Sequence, residues 1–430
     1  MTTIGKNMVD LRVSNRVAIL NLLYTAGGLS RREIAAQLNL TPAAISHITG
    51  EMIQEGVLIE AKKVKDGRMG RHAVILEINV TRFRVLCAYI PTRDLRLSCF
   101  DLAGNVHFSK ELSFDESHSG KEIIGAVCGE MQAYIDQLDS EERKWIIGIG
   151  LGIKGICDVR RGISVKSFGL WEDNLPLRDM VEARLGIRTL VDNDIRCMAY
   201  GDMLFNRHED IQSMLFVKLG PLVGAAFVVD GRLFTGHSCH AMELGHFVVD
   251  PLGSMCRCGK RGCLETIIGF DVIANHLALL FSPARVPILY RLTGGDKTKL
   301  SMETIMESFD QNERVVVEIL DGALERFAFA LVNAIGLIDP QRVTLYGIPF
   351  ESPRFVALLH EKLKALARGD VSAELMISNH NLQLADLGCA SIVIKDFLAN
   401  GALPCEKIPC KEPAFAAGWD TRAAAPSPRQ

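Results

Sequence analysis

The sequence predicts an α/β fold set behind an N-terminal winged helix-turn-helix. Three observations predict it. Residues 1–80 read as three helices and a hairpin. From about residue 81, apolar strands alternate with helical stretches. Residues 243–265 carry three cysteines and a histidine at metal-ligand spacing. A chain of 430 residues is expected to form two or three units.

The first helix is marked by Val13, Val17, Leu20 and Leu23 at helical spacing, and Gly27-Gly28 stops it. Ser30, followed three residues on by Glu33, makes a capping box for a second helix with the stripe Ile34, Ala35 and Leu38. Asn39-Leu40 is the turn. Thr41-Pro42 is a cap followed by proline at the first helical position, which starts a third helix. Ile45, Ile48 and Met52 give that helix one buried stripe, and Gly56 ends it. Val57–Ala61 and Ala73–Ile78 read as strands joined by the tip KDGRMGR, residues 65–71.

In the body, the apolar runs Val85–Ala88, Trp145–Gly150, Met214–Val217, Ala225–Val229 and Val343–Tyr346 read as strands. Helices are expected over 120–137, 177–185, 270–281 and 313–337. The last stretch, rich in Ala and Pro, is expected to be a disordered tail over 401–430.

Composition is that of an ordinary soluble protein, 48% hydrophobic and 23% charged. No apolar run suits a membrane helix and no secretory leader is evident, so a cytoplasmic location without membrane contact is expected. The twelve cysteines are then expected to be mostly reduced core residues. Residues 1–80 carry a net charge of +3 within a chain of net −3. The positive charge is local, at Lys62, Lys63, Lys65, Arg68 and Arg71. Such a patch suits phosphates, while an acidic remainder disfavours broad nonspecific DNA binding.

On the third helix, Ala43, Ser46, His47 and Gly50 lie opposite the buried stripe. That face is small and polar, able to enter a major groove closely. The helix start at Thr41 can face a phosphate. Arg68 and Arg71, flanked by glycines, suit a phosphate backbone or a narrow minor groove. Helix patterns alone fit a protein-interaction module equally well. The order of elements and the basic wing favour double-stranded DNA.

His246, Cys256, Cys258 and Cys263 supply one nitrogen and three sulfurs, a set suited to closed tetrahedral zinc. Four protein ligands leave no position for an activated water, so the zinc is expected to be structural. The other reading is three thiols without metal.

With G-H-x-x-x-x-M-E-L-G-H before it, this segment resembles the signature of the ROK family of repressors, open reading frames and sugar kinases. GIGLGIKGICD at 148–158, LVDNDIRCMAYGD at 190–202, VNAIGLIDPQRVTLYG at 332–347 and LGCASI at 387–392 are similar too, and the head resembles that of the repressor branch. The resemblance covers nearly everything from residue 10 to 400. It implies a two-lobed, actin-like ATPase body over 81–400, with a lobe boundary near 194, the C-terminal helix returning to the first lobe, and a sugar in the cleft. It also implies that Asn193, Asp194, Glu243, His246 and Glu265 contact the sugar, with His246 serving zinc as well. Carboxylates suit this role because they accept paired hydrogen bonds from hydroxyls.

The kinases of the family use the equivalent of Asp194 as general base. Phosphoryl transfer also needs a phosphate cradle. The stretch matching the family's D-x-G-G-T reads YIPTR at 89–93. That matching G-T-G-x-G-G-G reads GPLVGAA at 220–226, and the late G-G motif reads GIP at 347–349. An acid and several glycines are replaced, and Pro91 removes an N–H that could have held phosphate. Two function classes remain. One is a sugar- or sugar-phosphate-responsive regulator, most simply a repressor, acting as a homodimer or homotetramer on paired half-sites. The other is an ATP-dependent sugar kinase with an appended DNA-binding head. A regulator that answers to a protein partner instead of a sugar is a third reading. One departure lies in the wing, where His72 stands at the place of the family's proline.

Overall fold

The structure, a computed structural model, describes residues 8–65, 72–206, 211–367, 372–378 and 384–403, without the side chains of 8–10, 62–65 and 72. The wing tip with Arg68 and Arg71, and residues 404–430, lie outside the described residues. The chain divides into two compact units, Met1–Glu209 with Ala385–Gln430, and Asp210–Leu384.

The head of the first unit has α1 (Met8–Ala26), β1 (Leu29–Ser30), α2 (Arg31–Leu38), α3 (Pro42–Gln54), β2 (Leu58–Lys65) and β3 (His72–Ile78). Its local signals hold. The Ser30–Glu33 box is closed in both directions, at 2.7 and 3.3 Å. Asn39 takes the left-handed conformation (φ 56°) that lets the chain turn between α2 and α3. Thr41 Oγ1 accepts from the Ala44 N–H at 3.3 Å, with Pro42 at the first helical position. Ile19, Leu20, Ile34, Ile45, Met52 and Leu76 are fully buried, at roughly 1.5–3 kcal/mol of hydrophobic stabilisation each.

The rest of that unit is built on β4 (Arg84–Ile90), β5 (Asp94–Phe100), β6 (Val106–Ser113), β7 (Ile146–Ile153) and β10 (Thr189–Asn193), in the order β10-β7-β4-β5-β6. β10, β7 and β4 run parallel, and β5 and β6 are antiparallel additions. A small hairpin, β8 (Ile156–Asp158) and β9 (Ile163–Lys166), follows β7. α4 (Gly120–Gln137), α5 (Ser140–Lys144), α6 (Leu177–Leu185), α7 (Asp194–Phe205) and, after the second unit, α14 (Leu384–Ala399) complete it.

The second unit has β11 (Ser213–Leu219), β12 (Val223–Val229), β13 (Arg232–Leu233), β14 (Arg342–Tyr346) and β15 (Glu374–Ile377) in the order β13-β12-β11-β14-β15. Counted along the chain, this is the strand order of the first unit again, with the same three parallel and two antiparallel members. The repetition is one of topology. The long α12 (Arg314–Ile338) buries Leu324, Phe327 and Leu331 against that sheet's Leu215, Val217, Val343 and Leu345. Its remaining helices are α8 (Glu265–Ile268), α9 (Phe270–Leu280), α10 (Pro287–Leu292), α11 (Met302–Asp310) and α13 (Pro353–Ala367).

The strands and helices expected from apolar pattern all occur, with ends moved by up to four residues. The first helix is longer, beginning at Met8. Further strands occur that those apolar runs did not include, among them the largely buried β5 and β10 and the exposed β6 and β15. β6 and β15 lie at sheet edges with mostly exposed side chains, so no apolar alternation marks them. Gly401 and Ala402, placed in the tail by composition, are buried. No helix of the described residues is long and apolar enough to cross a membrane.

α14 sits on β7 unusually closely. Gly148, Gly150 and Gly152 alternate along one face of that strand, and a Cβ on Gly150 would fall 1.9 Å from the Cys389 carbonyl oxygen. On its other side, Gly388 meets α7, where a Cβ would lie 2.6 Å from the Cys197 backbone.

Candidate functional site

The head presents one face of α3. Thr41, Ala43, Ser46 and His47 are exposed and Gly50 is half-buried, while Ile45, Ile48, Thr49 and Met52 point inward. His47 Nε2 lies 3.5 Å from Glu51 Oε1, which also receives Arg12 at 2.6 Å. Thr49 donates to the Ile45 carbonyl at 2.7 Å and accepts from Arg31 Nε at 3.2 Å, which fixes α2 to α3. The outward face is therefore small-residue, polar and held by a packed inward face, the form a groove-reading helix takes.

In the second unit, the short turn Leu244–His246 and the loop after it bring His246, Cys256, Cys258 and Cys263 together. Their ligand atoms all lie within 4.8 Å of one another. Cys256 Sγ is 3.6 Å from His246 Nδ1, and Cys258 Sγ is 3.6 Å from Cys263 Sγ. These are the separations that about 2.3 Å metal–sulfur and about 2.0 Å metal–nitrogen bonds give around a tetrahedral ion. The loop closes tightly. The Cys256 N–H donates to Lys260 O, the Gly259 N–H to Cys256 O, and Lys260 Nζ to His246 O, each at 2.8–2.9 Å. Gly262 (φ +67°) faces Asp250 where a Cβ would lie 1.5 Å from its carbonyl oxygen. Burial and then the neighbouring sulfurs push the Cys263 thiol up to about 12. Three thiolates can share this volume only beside a cation. The donor set, its spacing and its closure fit a metal ion.

Glu243 and Glu265 flank that cluster in the chain. Glu243 is exposed and leads into the Leu244–His246 turn, its carbonyl accepting from the His246 N–H at 2.9 Å. Glu265 is 9% exposed and opens α8 two residues after Cys263. Its Oε1 accepts from Arg257 Nε at 3.1 Å and Nη2 at 2.8 Å. Sequence reasoning did not single out Arg257, although its place between two cysteines of the cluster was a signal.

In the first unit, Asn193 ends β10 and Asp194 begins α7. The Asn193 amide oxygen caps α7, accepting from the Ile195 and Arg196 N–H groups at 2.9 and 3.2 Å, and its amide nitrogen donates to Gly155 O at 2.9 Å. Asn193 thus holds the corner from which the buried Asp194 projects. Beneath it, Asp192 is fully buried and accepts from Arg196 Nε at 2.5 Å. Arg196 Nη2 also donates to Cys157 Sγ at 3.2 Å. Cys157 and Cys197 are buried thiols, and Cys157 supports this corner from below.

Two of the three turns that match the family's phosphate cradles engage their own groups internally. In Pro91-Thr92-Arg93, Thr92 Oγ1 accepts from the Asp94 N–H at 3.1 Å, and Arg93 Nη1 donates to Asp115 O and His118 O at 2.7 and 3.0 Å. At the β11–β12 turn, the Gly220 N–H donates to Leu222 O at 3.2 Å, and Pro221 has no N–H. Gly347 (φ +131°) is followed by Ile348 and Pro349. Beside the last two turns is a cavity of about 350 Å³ lined mainly by Pro221, Phe270, Met302, Tyr346 and Ile348.

A profile of the ROK family matches residues 94–396, and a winged helix-turn-helix DNA-binding profile matches residues 14–59. The chain is 25% identical over 343 residues to the DNA-binding transcriptional dual regulator NagC of Escherichia coli, covering 79% of this chain and 82% of that one. To the DNA-binding transcriptional repressor Mlc of the same organism it is 24% identical over 403 residues, covering 92% and 96%. Among solved structures, a ROK family transcriptional regulator described as a homologue of the E. coli MLC protein superposes with a TM-score of 0.75 at 22% identity, over 91% of this chain and 97% of that one.

Proposed function

Because the chain belongs to the ROK family, we propose that it is a sugar-responsive DNA-binding transcriptional regulator, a repressor, that has lost kinase activity. One observation carries the reading. A winged head with an exposed, small-residue face on α3 is fused to a ROK body whose cradle turns contain Pro91 and Pro221 and spend their groups internally.

In this reading, residues 1–80 are the head, and Thr41, Ala43, Ser46 and His47 meet a double-stranded operator, joined by Arg68 and Arg71 of the wing. Residues 81–400 are the sugar-binding body, the buried Gly401 and Ala402 close its last helix, and the tail follows them. Asp194, Glu243 and Glu265 accept hydrogen bonds from sugar hydroxyls, and Asn193 and His246 set their backbone corners. Zinc, held by His246, Cys256, Cys258 and Cys263, supplies a fixed structural node and no reactive water. It ties the Glu243 turn to the Glu265 helix, so both acids are preorganised by one loop. Asp194 then serves as a binding group with no phosphoryl donor to direct. The protein works in the cytoplasm, where its operator is, as a homodimer or homotetramer that reads paired half-sites.

The test is a thermal-shift screen against hexoses, N-acetylhexosamines, pentoses and their phosphates, followed by gel shifts with the hit on DNA selected from a random library. The expected result is a sugar that stabilises the protein, changes its DNA affinity and loses hold on Asp194→Asn. ATP-dependent phosphorylation of that sugar, abolished by Asp194→Asn, overturns the non-enzymatic reading in favour of a kinase with an appended head.

A further inference from the structure

Arg16 is the largest fully buried side chain among the described residues, 1% exposed, although it lies on α1 of the DNA-binding head. A guanidinium is rarely buried unless its donors are matched. Its Nε donates to the Gly401 carbonyl at 2.9 Å, across 385 residues of sequence. Its Nη2 lies 2.5 Å from Glu55 Oε2. Glu55 is the C-cap of α3. Gly401 ends the turn after α14, with φ +74° and its Cα side pressed on Arg16, where a Cβ would lie 3.3 Å from Arg16 Cβ. One side chain therefore joins the end of the groove-reading helix to the end of the last helix of the body.

A second contact runs beside it. Gly56 (φ +74°) packs on Arg82, whose guanidinium lies 3.6 Å above the Trp145 ring. Trp145 touches Phe83 edge-on, and Phe83 packs on Phe397 of α14. At its other end α14 is seated on α7 through Gly388 and Cys197, three residues from Asp194. Arg188 clamps its last turn through two bonds to Asp396, at 3.0 and 3.2 Å.

We infer that Arg16 is a positioning residue that couples α7 to the DNA-reading helix, with α14 as the rod between them. A shift of α7 at Cys197 moves Gly388. α14 carries the shift along its length, and the Gly401–Arg16–Glu55 link delivers it to the end of α3. The fork geometry of arginine suits this, because it holds a carbonyl and a carboxylate in fixed relative directions. That a sugar at Asp194 starts the shift rests on the function proposed above, whereas the mechanical link from α7 to α3 does not.

The test is a double-mutant cycle on the full chain, needing neither sugar nor DNA. Gly388→Ala puts a methyl against the Cys197 backbone and displaces one end of α14. Hydrogen exchange at the amides of Glu55 to Leu58 reports the other end. The expected result is a change of fivefold or more in those exchange rates on Gly388→Ala in the wild-type background, and less than twofold in an Arg16→Met background. Thermal midpoints of the body should be the same in both backgrounds. No change in the wild-type background, or the same change in both, overturns the coupling. Should Gly388→Ala not yield folded protein, Cys197→Ala removes the thiol that bonds Cys389 of α14, the residue beside Gly388; should Arg16→Met unfold the head, Glu55→Gln weakens the same link. Sugar binding is measured separately by thermal shift on Asp194→Asn, so failure of the sugar reading and failure of the coupling give different results.

Discussion

Arg257 holds Glu265 through a single carboxylate oxygen, Oε1, by two donors at 3.1 and 2.8 Å. Arg257 itself stands between Cys256 and Cys258, so the loop that could carry a metal ion also holds an acid. If that acid accepts from a sugar hydroxyl, Arg257→Ala should leave metal content unchanged and weaken sugar binding about fivefold. That corresponds to about 1 kcal/mol, a charge-assisted bond discounted for an arginine that is partly exposed. Calorimetric titration with the screened sugar, beside metal analysis of the same preparation, checks it. Unchanged affinity would mean that Glu265 serves the loop alone.

Zinc should be present at one ion per chain in protein purified under reducing conditions without chelator. Cys263→Ser should lose it and lower the thermal midpoint by several degrees, since a metal bound only by the folded loop stabilises that fold. Native mass spectrometry and a melting curve with and without chelator decide the matter. A wild-type chain free of metal would remove zinc from the account.

On the head, two substitutions separate folding from recognition. Thr41→Ala removes the cap on α3 and should cost the head about 1 kcal/mol. Ser46→Glu leaves the inward face untouched and brings a carboxylate toward the DNA. It should lower affinity for a selected duplex at least tenfold with no change in melting. A melting curve reads the first effect and fluorescence anisotropy on the selected duplex the second, and a Ser46→Glu chain that binds normally would displace this face from the interface.

Asp386, near the start of α14, pairs with Arg96, whose Nε lies 2.5 Å from its Oδ2. Burial nevertheless pushes its carboxyl up to about 6, against the pull of that arginine. A carboxyl with a higher pKa folded than unfolded holds its proton more tightly when folded. Its contribution to stability is present below about pH 4, falls as pH rises to about 6 and stays lost above that. Two units correspond to about 3 kcal/mol. Urea unfolding of wild type and Asp386→Asn across pH 4 to 7 should therefore converge in slope only above pH 6. Parallel curves throughout would show an ordinary carboxylate.

Much of the head was legible in the sequence because helix signals are local. Ser30 with Glu33 and Thr41 with Pro42 act within four residues, and the structure uses both. The metal-type cluster was legible for the same reason, since its donors fall within eighteen residues of chain and share one loop. The resemblance of scattered motifs located Asn193 and Asp194. Spacing did not reveal that Asn193 spends its amide on capping α7 and on Gly155. Arg16 was invisible. Its partners are Glu55 and Gly401, and no periodicity links a helix of the head to a carbonyl 385 residues away. The edge strands β6 and β15 were missed because exposed strands carry no apolar rhythm.

The glycine face of β7 has a consequence for how such a protein can diverge. Where side chains meet, a core drifts by small exchanges, one methyl lost here and another gained opposite. Where Gly150 meets the Cys389 backbone, no such exchange exists, because the smallest addition already collides with main chain. Descendants of this chain can remodel the exposed face of α3 residue by residue, but they inherit the contact of β7 with α14 at Gly150 whole.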